Sequence, residues 1–242
     1  MTDDSPVQVA IEAPIAEIIL NRPEQRNAVN TPLLDGLLAA IQQIENDESV
    51  RVVLVRGAGT AFCAGNDLKE RSGMTVGEVM ARRQHGHHVF AALEALTKPC
   101  IAVVHGPAVA AGCEIALSCD FVIAGTLATF RYPEAVRGSG GGTRRLPGIV
   151  GKAMAKELLF TGRLIEPTEA ERIRMVNRVV PDEQLLTVAR DIATTIAKSR
   201  PYAMTLTKQA IDAGANADHG DAVQIEQEAI EAALRFQGGS DR

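Results

Sequence analysis

The sequence predicts an α/β fold, and three observations carry that prediction. Short apolar, β-branched runs of strand length recur at residues 15–20, 51–56, 100–104 and 121–124. Segments with helical spacing of apolar residues lie between and after them. One pattern also occurs twice. VRVVLVRGAGTAFCAGND and KPCIAVVHGPAVAAGCE each run from a strand through a glycine turn and small residues to Ala-Gly and a polar residue. Strands alternating with helices point to layered α/β architecture. The chain has 242 residues, 46% of them apolar, enough for a sizeable core. No linker-like stretch interrupts the first 200 residues, so a core over 1–200 and a helical region over 201–242 are expected.

In order along the chain, residues 15–20 form a strand and Asn21-Arg22-Pro23 a turn. Thr31 is the expected N-cap and Pro32 the first residue of a helix. Its Leu33, Leu34, Leu37, Leu38, Ile41 and Ile44 share one face. Gly57-Ala58-Gly59 ends the 51–56 strand, and a looser segment at 70–77 leads into a helix through the 80s and 90s. The glycine-rich loop 138–142 precedes a mostly helical pattern: 152–160, a helix opened by a Thr168-x-x-Glu171 capping box, then 182–199, 201–213 and 221–236.

Composition excludes several functions. Aromatics make up 3% with no Trp, and the net charge is −5 with no long basic run, so a nucleic-acid partner is disfavoured. No apolar run approaches the length of a membrane span, and the acidic N-terminus MTDDSPVQVA lacks an export or organelle signal. Cys63, Cys100, Cys113 and Cys119 form no C-x-x-C pair and read as packing residues in a reducing compartment. A cytoplasmic protein is expected.

The segment CIAVVHGPAVAAGCEIALSCD, 100–120, carries the most chemistry. It reads as a buried strand, a Gly106-Pro107 break, crowded small residues, and a helix start with Glu114 in its first turn. Helix N-termini offer unpaired N–H groups, and small side chains let a ligand reach them, so an oxyanion could be held beside a carboxyl that moves a proton. On this segment alone, an ordinary strand–helix joint with a solvated Glu114 fits equally well. Glu134, behind Pro133 and ahead of the glycine-rich loop, is a second carboxylate beside tightly turned backbone. Two such groups suit a division into acid and base. Other motifs are weaker. Gly57-Ala58-Gly59 lacks the third glycine of a dinucleotide fingerprint, having Phe62 there. His85, His87 and His88 have no acidic residue at ligand spacing, and Ser139 is not in a G-x-S-x-G elbow.

Several separated motifs then resemble the enoyl-CoA hydratase/isomerase (crotonase) family over residues 9–235. They are IILNRPEQRNAVN, AFCAGNDLKE, KPCIAVVHGPAVAAGCEIALSCDFVIA, FRYPE, GGGTRRL and LLFTGRLIEPTEA, in family order. The resemblance implies a ββα spiral core for acyl-CoA binding and catalysis, with C-terminal helices for oligomerisation, as a homotrimer or dimer of trimers. It implies an acyl-CoA substrate whose thioester enolate is held by the backbone N–H groups of Asn66 and Ala111. Glu114 would hold and deprotonate water for attack at C3, and Glu134 would deliver the proton to C2. Coenzyme A would lie along Arg26, Ala28, Ala64, Gly65, Asp67, Leu68 and Lys69. No metal or redox cofactor is implied. The intact glutamate pair favours an enoyl-CoA hydratase, a hydro-lyase. The alternatives are an isomerase, a specialised hydratase/lyase of an aromatic or polar acyl-CoA, and an inactive acyl-CoA-binding member. Departures from the family pattern are Ala111 for a common Gly, Arg131 for a usual Gly, a shorter loop from Glu134 to Thr143 that adds Arg137, and a C-terminus ending at Gly238-Gly239-Ser240-Asp241-Arg242. Arg131 or Arg137 is expected either to pair with a catalytic carboxylate or to meet a polar acyl group.

Overall fold

A computed structural model describes residues 5–215 and 217–239. The first four residues, Asn216 and the final Ser240-Asp241-Arg242 lie outside it, and with them the ends of both terminal segments considered above. Six strands form the main sheet: β1 (Val7–Glu12), β2 (Ile15–Leu20), β3 (Val52–Gly57), β4 (Cys100–Val104), β6 (Phe121–Gly125) and β9 (Arg178–Val180). They lie in the order β1-β2-β3-β4-β6-β9. Only the β1–β2 hairpin is antiparallel; the other neighbours run parallel. A small second sheet contains β5 (Pro107–Val109), β7 (Thr129–Arg131) and β8 (Leu164–Ile165), in that order.

The central strands are apolar throughout because both faces are covered. Val53, Val55, Ala102 and Val104 face a core closed by α1 (Thr31–Glu45) and α3 (Val76–Glu94). Their alternates Val52, Leu54, Ile101 and Val103 pack against Leu185, Ala189, Ala193 and Ala197 of α8 (Leu185–Ala197). Between these lie α2 (Leu68–Arg71), α4 (Ala111–Ala116), α5 (Leu146–Val150), α6 (Lys152–Thr161) and α7 (Pro167–Arg172). Helices α9 (Pro201–Gly214) and α10 (His219–Gly239) form a hairpin, with Tyr202 stacked on Phe236 at 4.9 Å. Thr205 Oγ1 donates to the Thr97 carbonyl at 3.0 Å and Lys208 pairs with Asp120 at 2.9 Å, tying α9 to the core.

Three local expectations are corrected. Asn30, not Thr31, caps α1, its side chain accepting from Leu33 N–H at 3.0 Å, which moves Thr31 and Pro32 into the first turn. Thr168 lies inside α7, whose N-cap is Glu166, with no side-chain capping bond. The capping box belongs instead to Thr75 and Glu78 at the start of α3, within the segment expected to be loose. Strands β1, β5, β7, β8 and β9 were not anticipated either; the last two interrupt the stretch expected to be helical.

Candidate active site

The twice-occurring pattern becomes two loops joined side by side. After β3 and after β4 the chain leaves the sheet on the same side. Cys63 N–H donates to the Pro107 carbonyl at 3.1 Å, and Val109 N–H to the Cys63 carbonyl at 2.9 Å. Two glycines permit the approach. Gly65 has φ +92, and a Cβ there would sit 2.8 Å from the Val109 carbonyl oxygen. A Cβ on Gly112 would sit 2.3 Å from the Cys63 carbonyl oxygen. Ala110, at φ 51, turns the chain into α4. Asn66 and Ala111 thereby become walls of one cavity of about 70 Å³, together with Glu114 and Glu134. Among the described residues nothing accepts from the backbone N–H of either Asn66 or Ala111. Helix α4 has only six residues, so its electrostatic contribution rests on these first-turn N–H groups rather than on a long dipole.

The two carboxylates are built differently. Glu114 stands in the first turn of α4 and is held through Oε2 by Arg145 Nη1 at 3.1 Å; Arg145 Nη2 reaches Glu94 of α3 at 3.1 Å. The Arg145 side chain is 7% exposed. Glu114 Oε1 is buried and has no hydrogen-bond partner. Glu134 sits on the loop after β7, with Oε2 likewise buried and unpartnered. Its other oxygen lies against Gly141, where a Cβ would come within 2.6 Å of it. Burial pushes the Glu134 carboxyl above the usual range and the nearby Glu114 charge adds to that; its own backbone N–H, Arg83 and Arg137 pull the other way. Buried polar atoms without partners call for a donor. The cavity of about 70 Å³ that Ala111, Glu114 and Glu134 line exceeds the roughly 10–15 Å³ that one water needs.

A larger cleft of about 290 Å³ shares Asn66, Arg82, Arg83 and Glu134 with that cavity. Of the residues assigned to coenzyme A by resemblance, Ala64 and Leu68 line this cleft, whereas Arg26, Ala28, Gly65, Asp67 and Lys69 do not. The latter still gather on paired backbone beside it: Ala64 N–H donates to the Arg26 carbonyl at 2.9 Å, and Asp67 N–H to the Val29 carbonyl at 2.8 Å. The buried Asn27 side chain pins this segment to the loop after β3, donating to the Ala58 and Ala61 carbonyls at 2.8 Å. Asp67 accepts from Arg22 at 3.0 Å and from Lys69 N–H at 3.0 Å. Burial disfavours its charge, but these bonds outweigh that and hold its pKa down.

Arg131 is not a partner of either glutamate: its Nε donates to the Gly162 carbonyl at 2.7 Å. Arg137 lines the cleft beside Glu134 without pairing with it. The carboxylate partner is Arg145, within the GGGTRRL motif, a role that the motif itself does not reveal. Arg82 was also missed. It binds Glu70 at 2.6 Å and the Asn66 side-chain oxygen at 3.0 Å, and reaches the Val29 carbonyl, so it orders the Asn66 loop. Their signal in sequence was only an arginine near a motif. His85 Nε2 lies 2.8 Å from Asp35 and His87 lines the small cavity; no group of three potential metal ligands gathers among the described residues. Ser139 lines the cleft, and its N–H donates to the Glu134 carbonyl at 2.8 Å. No helix among the described residues is long and apolar enough to cross a membrane.

The family model for enoyl-CoA hydratase/isomerase matches residues 10–236. A short-chain-enoyl-CoA hydratase of Clostridium acetobutylicum is 42% identical over 90% of this chain and 85% of its own length. A crotonyl-CoA hydratase of Syntrophomonas wolfei is 38% identical over 90% and 86%. The crystal structure of enoyl-CoA hydratase from Bacillus anthracis superposes with a TM-score of 0.92 at 36% identity, covering 95% of this chain and 91% of that one. The chain thus matches one family almost from end to end, with two carboxylates and two loop residues with free N–H groups lining one cavity: it belongs to the enoyl-CoA hydratase/isomerase family.

Proposed function

We propose that this protein is an enoyl-CoA hydratase that adds water across the 2,3 double bond of a trans-2-enoyl-CoA to give the 3-hydroxyacyl-CoA. One observation carries the reading: Glu114 and Glu134, each with one buried carboxylate oxygen that has no hydrogen-bond partner, line one cavity of about 70 Å³ whose walls also include Asn66 and Ala111. In this reading the thioester oxygen lies between the Asn66 and Ala111 N–H groups, which stabilise the enolate as negative charge develops. Each such donor is worth roughly 3 kcal/mol in comparable sites. Glu114, positioned by Arg145, takes the proton from water as its oxygen bonds to C3. Glu134, shifted toward its protonated form, delivers a proton to C2. The sum is addition of water with no change of oxidation state, so the chemistry needs no redox cofactor, and these groups supply the charge stabilisation that a metal would otherwise provide. Coenzyme A is the handle of the substrate, running along the Arg26–Ala28 and Ala64–Lys69 segments. The charge of Arg26 supports that placement.

Hydration is tested by loss of enoyl absorbance of crotonyl-CoA with wild type, Glu114→Gln and Glu134→Gln. Activity in wild type with steep loss in both variants is expected. A variant that still moves a 3-enoyl double bond would favour an isomerase, and thioester binding without turnover would favour an inactive binding member. We further propose a core over 1–200, with the 201–242 helices serving assembly into a homotrimer or dimer of trimers. Ile211, Ile230, Leu234 and Phe236, each more than half exposed on α9 and α10, support this, and light scattering would test it. Four free, buried cysteines support a cytoplasmic location.

A further inference from the structure

The wide cleft beside Glu134 carries a charge that hydration of a simple alkyl chain does not use. Arg71 at the end of α2, Arg83 on α3 and Arg137 on the loop after Glu134 all line it. Among the described residues no carboxylate lies within ion-pair distance of any of the three. Arg82, the fourth arginine of the lining, is neutralised by Glu70 at 2.6 Å. The one carboxylate of the lining is Glu134, which is shifted toward its protonated form. A general excess of basic residues does not explain this, because the chain has 30 acidic and 25 basic side chains. Elsewhere Arg22, Arg56, Arg145, Arg163 and Arg190 each have a carboxylate partner, whereas Arg26, Arg51, Arg131, Arg174, Arg178 and Arg200 have none among the described residues; what sets this cleft apart is that three such arginines gather on it. Arg83 also reaches the Gly140 carbonyl, joining α3 to the loop that bears Arg137. Leu68, Met74, Val79 and Pro133 supply an apolar wall between these charges. A cleft lined by one sign of charge concentrates anions, and guanidinium groups match the fork of a carboxylate.

We infer that the acyl part of the substrate ends in a carboxylate: the unpaired arginines of the cleft, Arg83 and Arg137 foremost, receive the far end of an enedioyl-CoA while its C2 lies at Glu134. The apolar wall covers the intervening methylenes. Both arginines line the same cleft as Glu134, so the reacting carbon and the far end of one acyl chain can occupy it together. This rests on the hydratase reading and deepens it by naming the substrate class. The same guanidinium groups could instead attract the phosphates of coenzyme A, and the experiment separates the two.

The test compares trans-2-hexenedioyl-CoA with trans-2-hexenoyl-CoA, thioesters of equal length that differ in the terminal carboxylate. Wild type should favour the diacid thioester in kcat/KM by on the order of tenfold, and Arg83→Gln and Arg137→Gln should each shrink that ratio severalfold. Whatever these changes do through Glu134 falls on both substrates and cancels in the ratio. A wild-type ratio at or below one, or a ratio untouched by either substitution, overturns the inference and leaves the hydratase reading standing. An equal loss for both substrates, with weaker inhibition by free coenzyme A, assigns the arginines to phosphate and also overturns it. If neither thioester is hydrated, the hydratase reading fails. Calorimetric binding of adipoyl-CoA against hexanoyl-CoA then decides the carboxylate preference independently of turnover.

Discussion

Glu114 and Glu134 face the same cavity from two differently built supports. Glu114 sits on a helix wedged against the Cys63 loop, with one oxygen gripped by Arg145 and Arg145 in turn gripped by Glu94. Glu134 sits on a loop after the central strand of the small sheet, with no side-chain partner, and its surroundings push it toward the protonated form. The contrast shows how one fold can separate a base from an acid. A fixed cation orients the first carboxylate and leaves a single oxygen for water. Burial beside that carboxylate favours a proton on the second.

The contrast breaks most severely when either carboxyl is neutralised. Glu114→Gln and Glu134→Gln should each lower kcat for crotonyl-CoA hydration by roughly 10²–10⁴-fold, the usual contribution of a positioned acid or base, measured by steady-state kinetics. Next is the support of Glu114. Arg145→Gln should lower kcat by roughly 10²-fold, the cost of a misplaced catalytic group, with partial recovery in Arg145→Lys; an unchanged kcat would remove Arg145 from the site. The seating of α4 is tested by Gly112→Ala, whose Cβ meets the Cys63 carbonyl. The loss of stability should be about 1–3 kcal/mol by denaturant unfolding.

The smallest effects sharpen the Glu134 side. Its carboxyl is raised in the fold, so the proton required for transfer to C2 is lost as pH rises through that raised value. Hydration should therefore fall on an alkaline limb that Glu134→Gln abolishes. For stability the sign is the same: the folded state favours protonated Glu134, a contribution fully present below the unfolded carboxyl pKa and lost as pH rises through the folded one. Arg83→Gln removes a charge that lowers the Glu134 pKa, so the limb should move to higher pH; movement to lower pH would contradict the geometry.

Much of this site was legible because its chemistry is local. Small residues and turn formers mark the segments that carry Glu114 and Glu134, whereas Asn66 and Ala111 were assigned through the family resemblance alone. The apolar periods of α1 and the central strands likewise marked those elements. Arg145 was not legible, because its partner lies 31 residues away and nothing near it in sequence distinguishes it from Arg144. Arg131 misled for the same reason: its adjacency to Glu134 in sequence is undone by a strand, which turns it to the Gly162 carbonyl.

The amino-acid order by itself determined the strands β2, β3, β4 and β6 and the longer helices, the small residues that let two loops meet, and the residue types able to hold an oxyanion and move a proton. Helical period, turn chemistry and glycine tolerance act over a few residues, so they can be read from the chain. The tertiary structure alone decided that the two repeated loops pair, that Arg145 rather than Arg131 grips Glu114, that a second sheet of short strands forms, and that three arginines without carboxylate partners converge on one cleft. Those outcomes depend on register and packing between segments far apart in sequence, where burial of both sheet faces fixes which side chains must meet.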